Sequence, residues 1–516
     1  MARRLEEGGA RSRSDLERLK KRAAVLFSLD RFPANSDILA AIPVTSRGSY
    51  EQLLVVHPRR SASGIVVVTA FSKPFSCPHG TCVFCPGGPA VGTPQSYLPD
   101  SPGMRAALFL GFDPCLQVRR SLAKYAKNGH EVGKVEAIIE GGTFLATPPE
   151  YQLEFVKGVF DGLNQTVSAT LEDAQHQNES SRSRCVGLSI ESKPDWCAPR
   201  DIDLLLRYGV TRLEIGVQSL HDPILYRSNR GHTVADTLDA FRVARDAGLK
   251  ITAHMMPGLP GADPAMDLED LERIFEDEEL RPDMSKIYPT LVVPGTSLAR
   301  QQEAGRYEPY DLETVVELLS EMKRHVPRWH RIMRIQREIP SHEISGGVRN
   351  GNLRQLVLQR VAEKGFSCQC IRCREVALND PDSLDRGEHL RYRELRYDAS
   401  SGLEVFGFYE YERSRLITGF FRMRLPSARA HRREMTSASV VRELRVYGPA
   451  VGVGRRNLKA WQHRGLGAVL MRRAEAIARE DLGTSKMLVI SAVGTRHYYR
   501  RLGYEREGPY MAKALK

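Results

Sequence analysis

The chain has 516 residues, of which 41% are hydrophobic and 27% charged, and 75 Lys and Arg against 63 Asp and Glu leave a formal net charge of +12. That length predicts two to four domains, and no apolar run is long enough to cross a bilayer. The first residues, Met1 to Glu7, lack the apolar core of a secretory signal. Nine cysteines, an odd number, also speak against a disulfide framework, so a cytoplasmic protein with no membrane partner is expected.

The excess positive charge is clustered. Arg11, Arg13, Arg18, Lys20, Lys21 and Arg22 fall on one predicted N-terminal helix, and His57, Arg59 and Arg60 follow before the first strand. Contacts of this kind hold phosphates without reading sequence, so residues 1–63 are expected to bind a polyanion. The plain alternative is a solvated charged face.

Residues 64–340 alternate strand and helix. Strand-like runs lie at 65–70, 135–140, 185–190, 212–217, 250–255 and 285–293, with amphipathic segments such as 201–208 and 234–247 between them. Six β-then-α units predict an α/β fold, a parallel sheet curled as a partial barrel. Sites in such folds gather at the C-terminal strand ends.

The first strand runs into a loop carrying Cys77, Cys82 and Cys85. Three thiolates on one loop can hold three irons of a [4Fe–4S] cluster. The fourth iron, left open, can chelate and reduce S-adenosylmethionine. Zinc would accept the same thiolates with His79 closing the tetrahedron, and the spacing alone does not decide. The other strand ends do. They carry Glu140-Gly141-Gly142-Thr143, then Glu191 to Asp195, then Gln218-Ser219, then His254 to Gly258. Five decorated ends on one face, with a cysteine triad on the first, describe a cofactor site. Gly141 and Gly142 would let the backbone approach the methionine moiety, and Glu191 and Gln218 complete the expected cofactor contacts. Lys286, on the sixth strand, is a candidate catalytic group at the barrel mouth.

Residues 341–386 contain Cys368, Cys370 and Cys373. Structural zinc fits this spacing, with His342 as the candidate fourth ligand. An auxiliary iron–sulfur cluster and plain packed thiols are the alternatives.

Residues 387–516 read as a separate mixed α+β domain. Strand signals at 395–397, 403–411 and 416–425 predict an antiparallel meander, followed by a strand at 440–446. Gln462-His463-Arg464-Gly465-Leu466-Gly467 then opens a helix, and backbone N–H groups at such a start hold pyrophosphate. A strand at 487–491 and the Tyr498-Tyr499 segment follow. That order resembles the acetyl-CoA-binding fold of the N-acetyltransferase superfamily, with the CoA pyrophosphate on the Gly465 to Gly467 turn.

A radical S-adenosylmethionine barrel joined to such a domain resembles the family of the catalytic subunit of Elongator in its single-chain archaeal or bacterial form. The resemblance runs from about Pro74 to Lys516. It is carried by Cys82-Val83-Phe84-Cys85-Pro86-Gly87-Gly88-Pro89, Gln95-Ser96-Tyr97, Gly141-Gly142-Thr143-Phe144, Asn229-Arg230-Gly231-His232-Thr233, Tyr288-Pro289-Thr290-Leu291-Val292 and Gln336-Arg337, among others. It implies a tRNA-modifying acyltransferase that installs a carboxymethyl group at C5 of the wobble uridine (position 34), from acetyl-CoA and S-adenosylmethionine. It places the cluster on Cys77, Cys82 and Cys85. It places acetyl-CoA contacts on Lys134, on Glu443, Leu444, Arg445 and Val446, on Leu466, Gly467 and Ala468, and on Tyr499.

The implied reaction has the deoxyadenosyl radical take a hydrogen from the acetyl methyl group, adds the resulting carbon radical to C5 of a flipped uridine, restores the base by loss of an electron and a proton, and then hydrolyses the thioester. Tyr498 or Tyr499 is a candidate proton donor to the thiolate. An external electron donor is needed, and a homodimer is a compatible assembly. The rival reading is a protein lysine acetyltransferase with a structural cluster.

Overall fold

The computed structural model describes residues 10, 12–43, 50–379, 388–448 and 465–516. The first sheet has seven parallel strands in chain order: β1 (Val66–Phe71), β2 (Lys134–Glu140), β3 (Arg184–Ser192), β4 (Arg212–Gln218), β5 (Lys250–Met255), β6 (Met284–Ile287) and β7 (Arg331–Arg334). β1 and β7 are its two edges, so the sheet curls without closing. The seventh strand and the short β6 differ from the six strands expected. β7 reads Arg-Ile-Met-Arg, which carries no strand-like apolar run. Its Arg331 side chain is held by Glu375 at 2.7 Å and by the Tyr447 hydroxyl at 3.0 Å.

The pleat sorts the residues of each strand. On β2, Val135, Ala137 and Ile139 point outward into the main apolar core, and so do Leu213 and Ile215 on β4. Helices such as Pro114–Lys127, Pro149–Asn164, Val234–Asp246 and Leu312–His325 cover that face. Their starts follow from capping: Asp113 accepts from Leu116 N, Asp311 from Thr314 N, and Thr233 forms a capping box with Asp236. Each such cap is worth about 1 kcal/mol. The alternate residues, including Glu136, Glu140, Arg212, Glu214, His254 and Lys286, line the barrel interior, which is therefore polar.

The second sheet has the order β13-β14-β12-β11-β10-β9-β8. β8 (Leu390–Ala399), β9 (Gly402–Tyr411) and β10 (Ile417–Leu425) form the expected meander, and β11 (Ala438–Val446) adds to it antiparallel. β12 (Lys486–Val489) runs parallel to β11, and β14 (Tyr510–Ala514) and β13 (Glu505–Glu507) complete the sheet. One face packs on Leu470 and Met471 of the helix Leu466–Ala476 and on Tyr499 of the helix Arg496–Arg500. The other takes Trp329, Ile371 and Val376 against Phe406, Phe408 and Phe420.

Buried ion pairs join the two sheets. A bulge in the β10–β11 register falls at Arg442, between Glu443 and Val441, and re-aims that side chain. Arg442 donates to Asp283 at 2.8 and 2.5 Å and to Glu404 at 2.8 Å. Arg424 bridges Asp246 at 2.7 Å and Glu404 at 3.1 Å. Arg422 donates to Glu443 at 3.0 Å. Local sequence pattern marks none of these arginines as a core group.

Near the N-terminus, Leu16, Ile38, Leu39, Ile42 and Leu54 form a small core of their own. The helix Arg13–Leu26 carries the expected basic residues, with one correction: Lys20 is buried and paired with Glu17 at 2.8 Å. Arg11 lies outside the described residues. No helix of the described residues is long and apolar enough to cross a membrane.

Candidate active site

A cavity of about 160 Å³ opens at the C-terminal ends of the barrel strands. Cys77, Cys82 and Cys85 line it, with Gly142, Glu191, Gln218, Arg230 and Lys286. β1 delivers the loop, which continues past the strand end and turns back. Cys85 Sγ lies 3.3 Å from Gln95 Oε1 and 3.2 Å from Ser96 Oγ. Cys82 Sγ lies 3.3 Å from Arg230 Nη1 and 3.3 Å from His79 Nε2. Burial pushes the Cys85 thiol up to about 11, so its thiolate requires a cation beside it. His79 is lowered to about 4, by burial first and then by Lys193 and Arg230.

The glycines are sterically required. A Cβ on Gly141, at φ +149°, would sit 2.0 Å from Ser72 Oγ. A Cβ on Gly142, at φ +76°, would meet Gln95 Cβ at 3.3 Å and Cys77 Sγ at 3.6 Å. Two further observations fit a bound cofactor. The Gln218 Oε1 atom is buried without a partner, on a residue held at φ +74°. Arg230 Nε and His232 Nδ1 are likewise buried and unpartnered. The donor set, three thiols beside a cationic guanidinium and orphaned polar atoms, suits an iron–sulfur cluster with a charged, polar co-ligand.

Below the cysteines the barrel holds coupled charges. Glu214 bonds Lys286 closely, His254 Nε2 at 3.0 Å and Arg212 Nη2 at 3.0 Å. Burial opposes its ionisation, but Lys286, His254 and Arg212 hold it well below the usual carboxylate range. His254 is lowered to about 4 by burial and by Lys286. Glu191, which accepts from the Tyr97 hydroxyl at 3.2 Å, is raised to about 8 by burial and by neighbouring Glu140. Arg212 continues the chain to Glu136, which lies 3.6 Å from Arg445 of the second sheet. Glu140 belongs to a strand end that the sequence marks, whereas Glu214 and Glu136 lie inside strands and are not among the expected site residues. The signal available was the repeated charge at alternate positions of otherwise apolar strands.

A second cavity, of about 1210 Å³, fills the open side of the barrel and reaches Arg445. Arg59, Arg60, Arg331, Arg334, Arg354 and Arg372 line it, as do Cys368 and Cys373. Glu140, Lys286, Arg334, Arg337 and Glu338 belong to the walls of both cavities.

Of the residues expected at acetyl-CoA, those of β11 and of the helix start at Gly465 lie against one another, a Cβ on Gly467 meeting Leu444 Cδ2 at 3.9 Å. β12 pairs with β11 only as far as Val441, so the sheet splays before Glu443 to Val446. Glu443 and Arg445 spend their side chains on ion pairs, which leaves backbone as the contacting surface there. Gly465 starts the helix at φ +84°. A Cβ on Gly467 would lie 2.7 Å from Tyr498 Oη, a hydroxyl buried without a partner. Tyr499 is packed in the apolar core instead. Ala468 continues the helix begun at Leu466. Lys134 starts β2 opposite Arg184, the residue against which Gly494 packs. Gln462 lies outside the described residues.

The Sγ atoms of Cys368, Cys370 and Cys373 all lie within 4.8 Å of one another, and buried Lys323 donates to Cys368 at 3.5 Å. His342 is not with them. It is exposed and groups with Asp100 and Glu343. Among the described residues no histidine joins the cysteines, and nearby His330 spends both ring nitrogens on Ser285 and Pro282.

The chain matches the Radical SAM superfamily over residues 74–276, the Radical_SAM C-terminal domain over 282–363 and the ELP3 N-terminal domain over 1–62. It is 41% identical over 511 residues to Elongator complex protein 3 of Homo sapiens, covering 97% of this chain and 93% of that one. It is 41% identical over 492 residues to the tRNA uridine(34) acetyltransferase of Methanocaldococcus jannaschii, covering 94% and 90%. The solved structure of archaeal Methanocaldococcus infernus Elp3, lacking residues 1–46, is similar at a TM-score of 0.76 and 38% identity, over 88% of this chain and all of that one.

Proposed function

Because the chain belongs to the Elongator complex protein 3 family, we propose that it is a tRNA wobble-uridine acyltransferase, placing an acetyl-CoA-derived carboxymethyl group on C5 of uridine 34. One observation carries this reading: the cysteine-lined cavity and the arginine-lined cavity that reaches Arg445 share a wall. On this reading a radical site and a site for an acyl donor would be joined inside one barrel.

Cys77, Cys82 and Cys85 would hold a [4Fe–4S] cluster, and Gly141, Gly142, Glu191 and Gln218 would surround S-adenosylmethionine. When bound, these two groups supply one-electron chemistry at the acetyl methyl. The chain's own residues do the rest. Gly142 lets the cofactor approach the loop, and the ion pair of Lys286 with Glu214 keeps a fixed dipole in the barrel below the cysteines. Arg59 and Arg60 offer phosphate contacts to the tRNA. At the junction of the sheets, the Gly465 to Gly467 turn would take the CoA pyrophosphate. The Tyr498 hydroxyl, raised to about 12 by burial, stays protonated and so can donate to a departing thiolate. Cys368, Cys370 and Cys373 would hold zinc, its fourth ligand coming from outside the three thiols and His342.

The test uses reconstituted full-length protein, tRNA and acetyl-CoA labelled in its methyl group. Label at C5 of uridine 34, dependent on S-adenosylmethionine and a reductant and abolished by Cys82→Ala, is expected. Label on protein lysines, indifferent to all three, would instead establish a lysine acetyltransferase.

A further inference from the structure

The three sulfurs of the cysteine loop do not share the same surroundings. Cys77 Sγ meets the Thr143 hydroxyl at 3.9 Å, and Cys85 Sγ meets the neutral side chains of Gln95 and Ser96 at 3.3 and 3.2 Å. Cys82 Sγ faces two nitrogens. Arg230 donates from Nη1 at 3.3 Å, its Nη2 anchored on the Gly216 carbonyl at 2.8 Å, and the His79 ring presents Nε2 at 3.3 Å. The far edge of that ring sets its tautomer. His79 Nδ1 lies 3.1 Å from Lys193 Nζ, and buried Lys193 also donates to Asp195 at 3.2 Å. An ammonium has donors and no acceptor, so Nδ1 accepts and the ring proton sits on Nε2, beside the sulfur. A protonated Nε2 cannot ligate a metal, so His79 is no fourth ligand for zinc on this loop. The arrangement is enforced from behind. A Cβ on Gly231, at φ +65°, would lie 2.6 Å from His79 Cβ and 3.5 Å from Lys193 Nζ. The segment carrying Gly231 is tied to the cysteine loop twice: Ser228 O accepts from Val83 N at 3.2 Å, and Asn229 Nδ2 donates to Thr81 O at 2.9 Å.

Hydrogen bonds to the sulfurs are one of the levers that set the reduction potential of an iron–sulfur cluster, and outer groups that orient and load the ligands act on the metal through them. An N–H donated to a thiolate stabilises the reduced state, which carries one more negative charge, over the oxidised one. We infer that His79, fixed in its Nε2–H form by Lys193, donates to the Cys82 thiolate and raises the reduction potential of the cluster held by this loop. Neither residue touches reacting atoms: His79 acts through the Cys82 sulfur, and Lys193 positions the ring. In the step they assist, a low-potential reductant gives one electron to the cluster, which passes from its 2+ to its 1+ state. No bond breaks, and the proton stays on Nε2. The inference rests on the cluster reading above and deepens it.

The full-length protein, reconstituted anaerobically with iron and sulfide, is titrated with dithionite at controlled potential. Electron paramagnetic resonance counts the reduced cluster, and elemental analysis counts the iron. His79→Leu should keep the iron content of the wild type, because the three thiolates remain. At a fixed potential its ratio of reduced to oxidised cluster should fall about tenfold, a downward midpoint shift of about 59 mV for one electron. His79→Gln, whose amide offers an N–H in place of Nε2, should recover at least about half of that shift. Lys193→Met, which frees Nδ1 to take the ring proton, should lower the midpoint in the same direction with iron unchanged. An unchanged midpoint in His79→Leu or in Lys193→Met overturns the inference and leaves the functional reading intact. So does a His79→Gln as low as His79→Leu. Loss of iron from His79→Leu also overturns it, and would make His79 a ligand instead. A wild type that forms no reducible cluster on this loop overturns the functional reading itself.

Discussion

Replacing Asp283 with asparagine should measure how strongly the two sheets are tied. Asp283 is fully buried and accepts both guanidinium nitrogens of Arg442, at 2.8 and 2.5 Å, and the Ile251 backbone N–H at 2.9 Å. Burial opposes its ionisation, yet Arg442 and Arg422 hold the carboxyl far below the usual range. Asparagine keeps the shape and removes the charge, leaving Arg442 and Arg422 to share Glu404 and Glu443. Breaking a buried ion pair from one side costs about 3–5 kcal/mol. With an unfolding entropy of about 2.1 cal/mol/K per residue, a cooperative unit of roughly 500 residues loses about 1 °C of Tm per kcal/mol. Asp283→Asn should therefore lower Tm by about 3–5 °C in scanning calorimetry. The pH dependence has a definite sign. The folded carboxyl titrates below its unfolded value of about 3.9, so its stabilisation is complete above that pH and is lost as pH falls beneath it. The wild type should thus lose Tm steeply below about pH 4 and the variant less so. A variant within about 1 °C of wild type at neutral pH would refute the reasoning, because the guanidinium groups would then be solvated rather than dependent on Asp283.

Three further outcomes follow from the geometry. Gly467→Ala places a methyl 2.7 Å from the Tyr498 hydroxyl and should cut tRNA-stimulated acetyl-CoA hydrolysis at least about tenfold; unchanged hydrolysis would separate Tyr498 from the thioester. Gly141→Ala forces a methyl to within 2.0 Å of Ser72 Oγ, so S-adenosylmethionine binding in equilibrium dialysis should be lost while acetyl-CoA hydrolysis survives. Elemental analysis of the wild type should find about one zinc per chain, and Cys370→Ser should remove it and lower Tm; a zinc-free wild type would return Cys368, Cys370 and Cys373 to packed thiols.

The barrel was legible wherever burial is one-sided and apolar. Val-rich β1 and the glycine pair after β2 announce themselves, as does the helix start at Gly465. β7 escaped because both of its termini are arginine, and Arg331 looks solvated until Glu375 and Tyr447 are seen around it. The junction of the sheets escaped for the same reason. Arg422, Arg424 and Arg442 sit on strands at positions that local pattern assigns to solvent, and only the tertiary fold supplies Asp283, Asp246 and Glu404 to neutralise them. His342 is near Cys368, Cys370 and Cys373 only along the chain, and the fold places it with Asp100 and Glu343. Between Tyr498 and Tyr499 no sequence signal discriminates. The helix Arg496–Arg500 turns one toward Gly467 and the other into the apolar core.

The ion pairs across the junction also forbid motion. Each of Arg422, Arg424 and Arg442 is gripped from more than one direction, so a slide of one sheet over the other would break several charged bonds together. The frame has no hinge there, and the spacing between its two ends is a constant. From Glu136, beside Arg445, to Glu140, on the wall shared by the two cavities, β2 advances about 13 Å. If the second sheet holds the acyl donor as proposed, the reacting group would have to cross that distance on its own flexible arm, so the length of the carrier would select among thioesters.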